Sequence, residues 1–277
     1  FEDMYGTTQP GLDHYWREVS YNKVNIEGSG AFGWYTLPHP RSYYVDDDAG
    51  VTDLNALAVD CIGVADADVY YPDYVGINLM FNDWLGCCAW GGGRYMDLDG
   101  VEQHWSVTWE PPWAYSDISV IYHEMGHGFG LPHSSGDYGY VYDNVWDVMS
   151  ADRYNCYNDD EHMDPVYGCL GQNTIAFHHD LLGWIASEQF YLADLGNHSL
   201  TLEQIDQPAT TNYLVAKIPI EQSSNHFFTV EVRRLVGYDA KLPDSAVVIH
   251  EVNLNWSEPA HVVDIDYNED TSDEGAM

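Results

Sequence analysis

The sequence predicts an α+β fold in which a mixed, twisted sheet backed by helices is followed by a β-rich module. Three observations support this prediction. Strand-like and helix-like runs alternate over the first part of the chain, two amphipathic helices are expected near its middle, and short alternating runs begin after Gln189. We therefore divide the 277 residues into a first domain at 1–188 and a sandwich-like module at 189–277.

The first hundred residues supply the predicted sheet and its first helix. Strands are expected at residues 24–26, 32–37, 74–81 and 101–109. Residues 53–64 have apolar side chains at helical spacing, and Thr52 or Asp53 can cap that helix. The glycines at 91–93 fit a plain turn and a strand of small residues equally well.

Two further helices and the C-terminal strands complete the predicted elements. Helices are expected at 116–128, with Ser116 as its cap, and at 174–185, ending near Gly183. Strands are expected at 198–202, 213–218, 227–232, 246–252 and 261–265. The predicted fold class thus depends on a change along the chain, from helices and strands before residue 189 to strands alone after it.

Composition excludes several classes of function. Asp and Glu number 45 and Lys and Arg only 9, so the formal net charge is −36. Such a surface repels phosphate backbones and anionic membranes, so we expect no nucleic-acid partner and no membrane insertion. No run of about 18 apolar residues is present. Because the chain starts at Phe1 without a hydrophobic leader, we interpret it as a processed, mature form. We also expect the protein to be secreted and to be a monomer.

Five cysteines are too few for a miniprotein built on disulfides, but they allow two disulfide bonds and one unpaired cysteine. Cys156 and Cys169 bracket a polar loop and are expected to pair. Cys61 is expected to pair with Cys87 or Cys88, and free, buried thiols remain the alternative.

The most informative segment is residues 123–133, which reads HEMGHGFGLPH. On a helix, His123 and His127 lie on one face and can both point at a metal ion. His133 is the expected third ligand, because Gly130 permits the sharp turn that brings it back. Three imidazoles would leave a fourth zinc position for water, and Glu124 stands where a general base is needed.

This pattern, H-E-x-x-H-x-x-G-x-x-H, resembles the metzincin signature of zinc proteases. Residues 146–150 resemble the methionine turn of that family, in which Met149 forms an apolar floor beneath the histidines. Residues 33–35, 123–132, 182–185 and 247–252 are similar to the gametolysin and immune inhibitor A-type group. Some metzincins have a metal-contacting tyrosine two residues after the methionine, but Ala151 stands there.

The resemblance implies a metzincin-type catalytic domain with an active-site helix, a methionine turn and an edge strand that binds substrate. The expected reaction is hydrolysis of internal peptide bonds in protein or peptide substrates, by zinc-activated water with Glu124 as general base. An alternative is an extracellular matrix- or surface-binding module whose zinc site has little activity.

Other polar residues are weaker candidates. His178 and His179 are expected to be surface or packing residues, because neighbours on a helix point in different directions. His104, His162 and His250 have no spacing partner. Structural calcium is possible at the acidic runs 46–48, 97–100, 158–161 and 268–270, none of which forms a complete EF-hand loop.

Overall fold

The computed structural model describes residues 1–136, 141–151 and 163–265, and it has the α+β class that the sequence predicts. The helices are α1 (Leu12–Val19), α2 (Arg41–Tyr44), α3 (Leu54–Ala65), α4 (Ile118–Gly128) and α5 (Ala176–Leu181). The strands are β1 (Val45–Asp46), β2 (Val51–Thr52), β3 (Gly76–Met80), β4 (Trp90–Leu98), β5 (Val101–Glu110), β6 (Ser134–Ser135), β7 (Phe190–Leu192), β8 (Val215–Pro219), β9 (His226–Arg233), β10 (Ala246–Asn253) and β11 (Ala260–Val262).

The first sheet is mixed, as predicted. Its order is β3-β5-β4, with β3 parallel and β4 antiparallel to the central strand β5. Trp105 and Val107 of β5 pack with Leu57 and Ile62 of α3 in one apolar core. Because side chains alternate along a strand, Ser106 faces the opposite side, where it contacts α4 at Gly128. The sheet therefore separates α3 from α4.

The second sheet joins the C-terminal part of the chain to the middle. Its order is β6-β11-β10-β9-β8-β7, in which β6 comes from the segment just after His133. Trp146 and Phe177 share an apolar core with Phe227 and Val248 of this sheet. The boundary between 188 and 189 stays a prediction, but the two segments share one sheet and one core.

The helix bounds correct two details of the sequence analysis. Asp53 caps α3 by accepting the backbone N–H of Ala56. Ser116 does not cap α4; it ends a short 3-10 turn, and the N–H of Ile118 instead donates to the carbonyl of Tyr167 at 2.8 Å. The helix predicted at 174–185 is confined to α5, whose end is followed by Gly183 with a φ of +66°. It is consequently not a second long helix.

The strands expected at 24–26 and 32–37 do not form. The backbone N–H of Val24 donates to the hydroxyl of Ser20, and that of Ile26 donates to the carboxylate of Asp13. Both acceptors belong to α1 or its C-terminal cap, so these donors are already satisfied without a neighbouring strand. In the second segment Tyr35 and Leu37 pack against the core that contains Trp105, whereas Phe32 and Trp34 are exposed, and the segment pairs with no described strand.

The predicted pairing of Cys61 with Cys87 or Cys88 is wrong. Cys87 and Cys88 form a disulfide with each other, and Cys61 on α3 is a free thiol. Burial raises the pKa of this thiol to about 12, so it is protonated at neutral pH. Cys169 is disulfide-bonded, whereas Cys156 lies outside the described residues.

Several carboxylates of the two acidic runs that the structure describes accept hydrogen bonds from other groups of the protein. Asp46 accepts the backbone N–H groups of Asp48 and Ala49, and Asp47 forms a bidentate pair with Arg41. Asp99 accepts the N–H of Tyr71. These contacts give no support to calcium at 46–48 or 97–100, and the runs 158–161 and 268–270 lie outside the described residues.

Among the helices that the structure describes, none is long and apolar enough to cross a membrane.

One buried carboxylate should make stability depend on pH. Glu110, at the end of β5, is fully buried, and neither of its oxygens has a hydrogen-bond partner among the described residues. Burial raises its pKa from 4.5 to about 8, although the neighbouring hydroxyl of Thr108 acts in the opposite direction. The folded protein therefore holds a proton over a pH range in which the unfolded chain has lost it.

We predict that Glu110 makes the free energy of unfolding fall as pH rises from about 4.5 to 8, by roughly 5 kcal/mol in total. In Glu110→Gln this contribution should disappear, so the variant should gain stability over the wild type at pH 9 relative to pH 5. Urea unfolding of both proteins at several pH values measures it. Identical pH dependence in the two proteins would contradict the assignment.

Candidate metal centre

The three predicted histidines come together at the C-terminal end of α4. His123 and His127 lie one turn apart on the same face of this helix. Gly130 follows the helix with a φ of +96°, and the N–H of Leu131 donates back to the carbonyl of Gly126 at 3.0 Å. This turn reverses the chain and brings His133 beside the two helical histidines.

The Nε2 atoms of the histidines form a nearly equilateral triangle. The separations are 3.1 Å between His123 and His127, 3.2 Å between His123 and His133, and 3.0 Å between His127 and His133. Ligands of a tetrahedral zinc ion at 2.0–2.1 Å stand about 3.3–3.4 Å apart. The triangle is close to that size, so the cluster could hold a metal ion.

The opposite nitrogens of two rings are fixed by backbone carbonyls. His123 Nδ1 lies 2.7 Å from the carbonyl of Val148, and His127 Nδ1 lies 2.8 Å from that of Leu131. A carbonyl can only accept a hydrogen bond, so each Nδ1 carries the proton. The lone pair of each ring is then on Nε2, which points at its partners in the triangle.

Electrostatics also keeps these imidazoles neutral. Burial, and then the neighbouring His127, lower the pKa of His123 to about 3. Burial, followed by the same neighbour, lowers the pKa of His133 to about 4, and burial lowers that of His127 as well. Neutral imidazole is the form that binds a metal ion, so the site is in its ligating state at neutral pH.

Glu124 lies between the helical ligands and the first sheet. Its side chain is 8% exposed, and its backbone carbonyl approaches Gly91 of β4 so closely that a Cβ there would clash. Residues 91–93 lie within β4 and so belong to a strand and not to a turn. The glycine at 91 is needed for contact between this strand and α4, a reason that sequence reasoning did not supply.

Met149 is fully buried beneath α4. Its sulfur lies against Gly126, the residue before His127, where a Cβ would collide with Sδ and stand 3.0 Å from Cε. Leu131 packs in the same apolar core. The methionine thus contacts the helix that carries two of the three histidines.

Asp147 connects the segment of His133 to the rest of the centre. Its Oδ2 accepts from the hydroxyl of Ser134 at 2.5 Å and lies 3.2 Å from His178 Nδ1. Its Oδ1 accepts from the hydroxyl of Thr174 and from the N–H of Met149. Burial alone would raise the pKa of Asp147, but His178 and these donors hold it well below its usual range. The carboxylate is therefore charged and fully bonded.

Comparisons with family models, curated proteins and solved structures found no match. The structure therefore supports a possible metal-binding cluster of three histidines, and assignment to a protease family depends on the sequence motif alone.

Two residues of the centre were missed by sequence reasoning. The sequence places Asp147 in the methionine turn but does not reveal its hydrogen bonds, because its partners are distant in sequence. The ring of Tyr142 lies 5.2 Å from that of His133 and 6.1 Å from that of His123. With Ala151 after the methionine, no tyrosine was expected at the metal, yet Tyr142 comes from the loop that follows the motif.

The remaining histidines are distributed as packing and surface residues. His178 and His179 are fully buried packing residues; His178 lies 2.7 Å from the Thr174 hydroxyl, and His179 lies 3.2 Å from the Asn173 amide oxygen. His250 is buried beside Asn144, at 3.1 Å, and His104 is exposed on β5. His162 lies outside the described residues.

The contact between Met149 and Gly126 yields a stability prediction. Gly126→Ala places a methyl group onto the buried sulfur, so we expect destabilisation of about 1–3 kcal/mol and weaker metal retention. Gly63→Ala in α3 is the matched control, because a Cβ at this position meets nothing within 4 Å. That substitution should stabilise the protein by up to about 1 kcal/mol. Melting temperature and metal content of both variants test this; equal behaviour would show that Met149 moves aside.

Proposed function

We propose that the chain is a secreted, zinc-dependent endopeptidase of metzincin type. The observation that carries this proposal is the triangle of three Nε2 atoms next to Glu124, at the end of a helix that lies beneath an edge strand. Disulfide bonding at Cys87, Cys88 and Cys169 fits an oxidising, extracellular compartment.

Zinc is the metal that best fits this donor set. Three neutral imidazoles without a thiolate or carboxylate are typical of catalytic zinc sites, and they leave one position for water or substrate. The hydrogen bonds from His123 and His127 to backbone carbonyls are the outer contacts that orient such ligands. When bound, zinc supplies Lewis acidity that polarises a peptide carbonyl and acidifies a water molecule.

Glu124 moves the proton in the proposed reaction. Its carboxylate accepts a proton from the attacking water and then delivers it to the nitrogen of the leaving amine. Limited exposure keeps bulk water away from this carboxylate, which strengthens its interactions with the reacting groups. Tyr142 is a candidate donor to the oxyanion, because its ring lies beside His133 and half or more of it faces solvent.

The substrate is expected to bind as an added strand along β4. This strand is terminal in its sheet, and no other described strand pairs with its outer edge. Gly91 lets β4 approach α4 to within backbone contact, so a peptide on that edge would lie close to Glu124. Backbone hydrogen bonds would hold an extended peptide with little dependence on its sequence.

The first test removes the proposed base. In Glu124→Ala the three histidines are untouched, so zinc content should be unchanged while proteolysis of casein falls by at least about 10²–10⁴-fold. Glu188→Ala, an exposed acid in the turn before β7, is the control and should retain activity. Near-normal activity in zinc-loaded Glu124→Ala would reject the mechanism, and an inactive wild type would favour the alternative of a binding module.

The second test removes the third ligand. His133→Ala should lower zinc content and activity together, since two histidines on one helix cannot complete the site. His198→Ala, on the surface of the C-terminal part, should keep both. Metal analysis that finds full zinc in His133→Ala would place the third ligand elsewhere.

A further inference from the structure

A second group of polar residues lies far along the chain from the histidines, around the buried Arg233. Its guanidinium donates two hydrogen bonds of 2.6 Å to Asp239 and one of 3.0 Å to Glu231. All three side chains are fully buried. The positive charge of Arg233 is therefore paired with two carboxylates, those of Asp239 and Glu231.

Two more carboxylates, on Glu18 and Asp206, border this group. Asp206 is fully buried; its Oδ1 accepts from the amide of Asn173 at 3.3 Å, but its Oδ2 has no partner within the described part of the chain. Glu18 at the end of α1 is half-buried; its Oε2 accepts from the amide of Gln207 at 2.9 Å. Its Oε1 is buried and likewise unpartnered among described residues.

The two unpartnered oxygens converge beside Gly237. A Cβ on this glycine would stand 2.8 Å from Asp206 Oδ2, 2.7 Å from the Gln207 amide nitrogen, and closer still to Glu18 Oε1. Gly237 has a φ of +56° and carries no Cβ, so these side chains can approach its backbone more closely than any other residue would allow. The ends of three polar side chains from two parts of the chain therefore surround one small volume.

Among the described side chains whose contacts place them in this group, carboxylates outnumber cations. Glu231 and Asp239 bind the guanidinium of Arg233, and the carboxylate of Asp206 lies close enough to Asp239, Glu18 and Arg233 to interact with their charges. A buried carboxylate without a counter-charge is unfavourable unless it binds a proton or a cation. Burial, then the charges of Asp239 and Glu18, raise the pKa of Asp206 to about 8, so a proton is the competing occupant.

We propose that Glu18 and Asp206 bind a calcium ion beside Gly237. Calcium takes six to eight oxygen ligands in irregular geometry and accepts carboxylates, amide oxygens and water together. A half-turn of the Gln207 amide would present its oxygen to the ion in place of the N–H group that now donates to Glu18 Oε2. Glu18 is partly open to solvent, so water can supply the remaining ligands.

Such an ion would join elements that are distant in sequence. Glu18 ends α1, Asp206 precedes β8, and Gly237 opens the short 3-10 turn after β9. Calcium would therefore cross-link the first helix to the C-terminal sheet region, and removing it should loosen the packing between them. This site is independent of the histidine centre and of the proposed peptidase activity.

The experiment measures thermal stability with calcium as the varied quantity. All metals are removed, zinc is restored, and melting temperatures are recorded against calcium chloride at constant ionic strength. The wild type should melt about 5–10 °C higher at a hundredfold excess over the dissociation constant. Asp206→Asn and Glu18→Gln should lose this shift, whereas Asp48→Asn, in an exposed acidic run, should keep it.

The calcium-dependent shift is compared, and not the melting temperature itself, because Asp206→Asn also removes an unbalanced charge. If Asp206→Asn does not fold, the test uses Glu18→Gln, because Glu18 is only half-buried. Terbium luminescence excited through nearby tyrosines such as Tyr238 then measures ion binding directly. No shift in the wild type would show that Asp206 holds a proton and would overturn the proposal. Equal shifts in wild type and both variants, or an equal shift with magnesium, would also overturn it.

Discussion

The candidate centre depends on returning His133 to a helix that has already ended. Three imidazole nitrogens lie 3.0–3.2 Å apart, and two of them come from adjacent turns of α4. The third can reach them only because Gly130 adopts a positive φ and because the chain after His133 is held in place. Two features hold the segment after His133 in place: its pairing with a strand and its hydrogen bond to a buried carboxylate.

The strand is β6, which pairs in parallel with β11 through Ser134 and Ser135. The carboxylate is Asp147, which accepts from the Ser134 hydroxyl and also from groups of the methionine turn and of the segment before α5. Breaking one partner of such a buried, charged network is costly, because the remaining charge is left without compensation. The same carboxylate therefore links the position of His133 to that of Met149.

Much of the first sheet, and the three histidines, could be predicted from local sequence. Helical spacing located His123 and His127, and alternating apolar residues located β5, β9 and β10 within a few positions. The strand expected at 24–26 does not form because of contacts that local sequence does not show. Val24 and Ile26 satisfy their N–H groups with Ser20 and Asp13, which are side chains that no periodicity reveals.

The same limit applies to the site. Asp147, Tyr142 and β6 matter because of residues remote in sequence, such as His178 and Ala260. Spacing likewise favours Cys61 as the partner of Cys87 or Cys88, and it does not predict the bond that these two cysteines form with each other. Sequence spacing identifies histidines that share one helix face. The contacts that hold the cluster in position come from residues that are distant in sequence.

The parallel pairing of β6 with β11 has a consequence for synthesis. The segment that carries His133 leaves the ribosome long before Ala260 and His261, the residues with which Ser134 and Ser135 pair. Until then β6 has no partner strand, and the third imidazole has only its side-chain anchors. The three imidazoles are therefore held in the arrangement described above only when nearly all of the described residues have been translated.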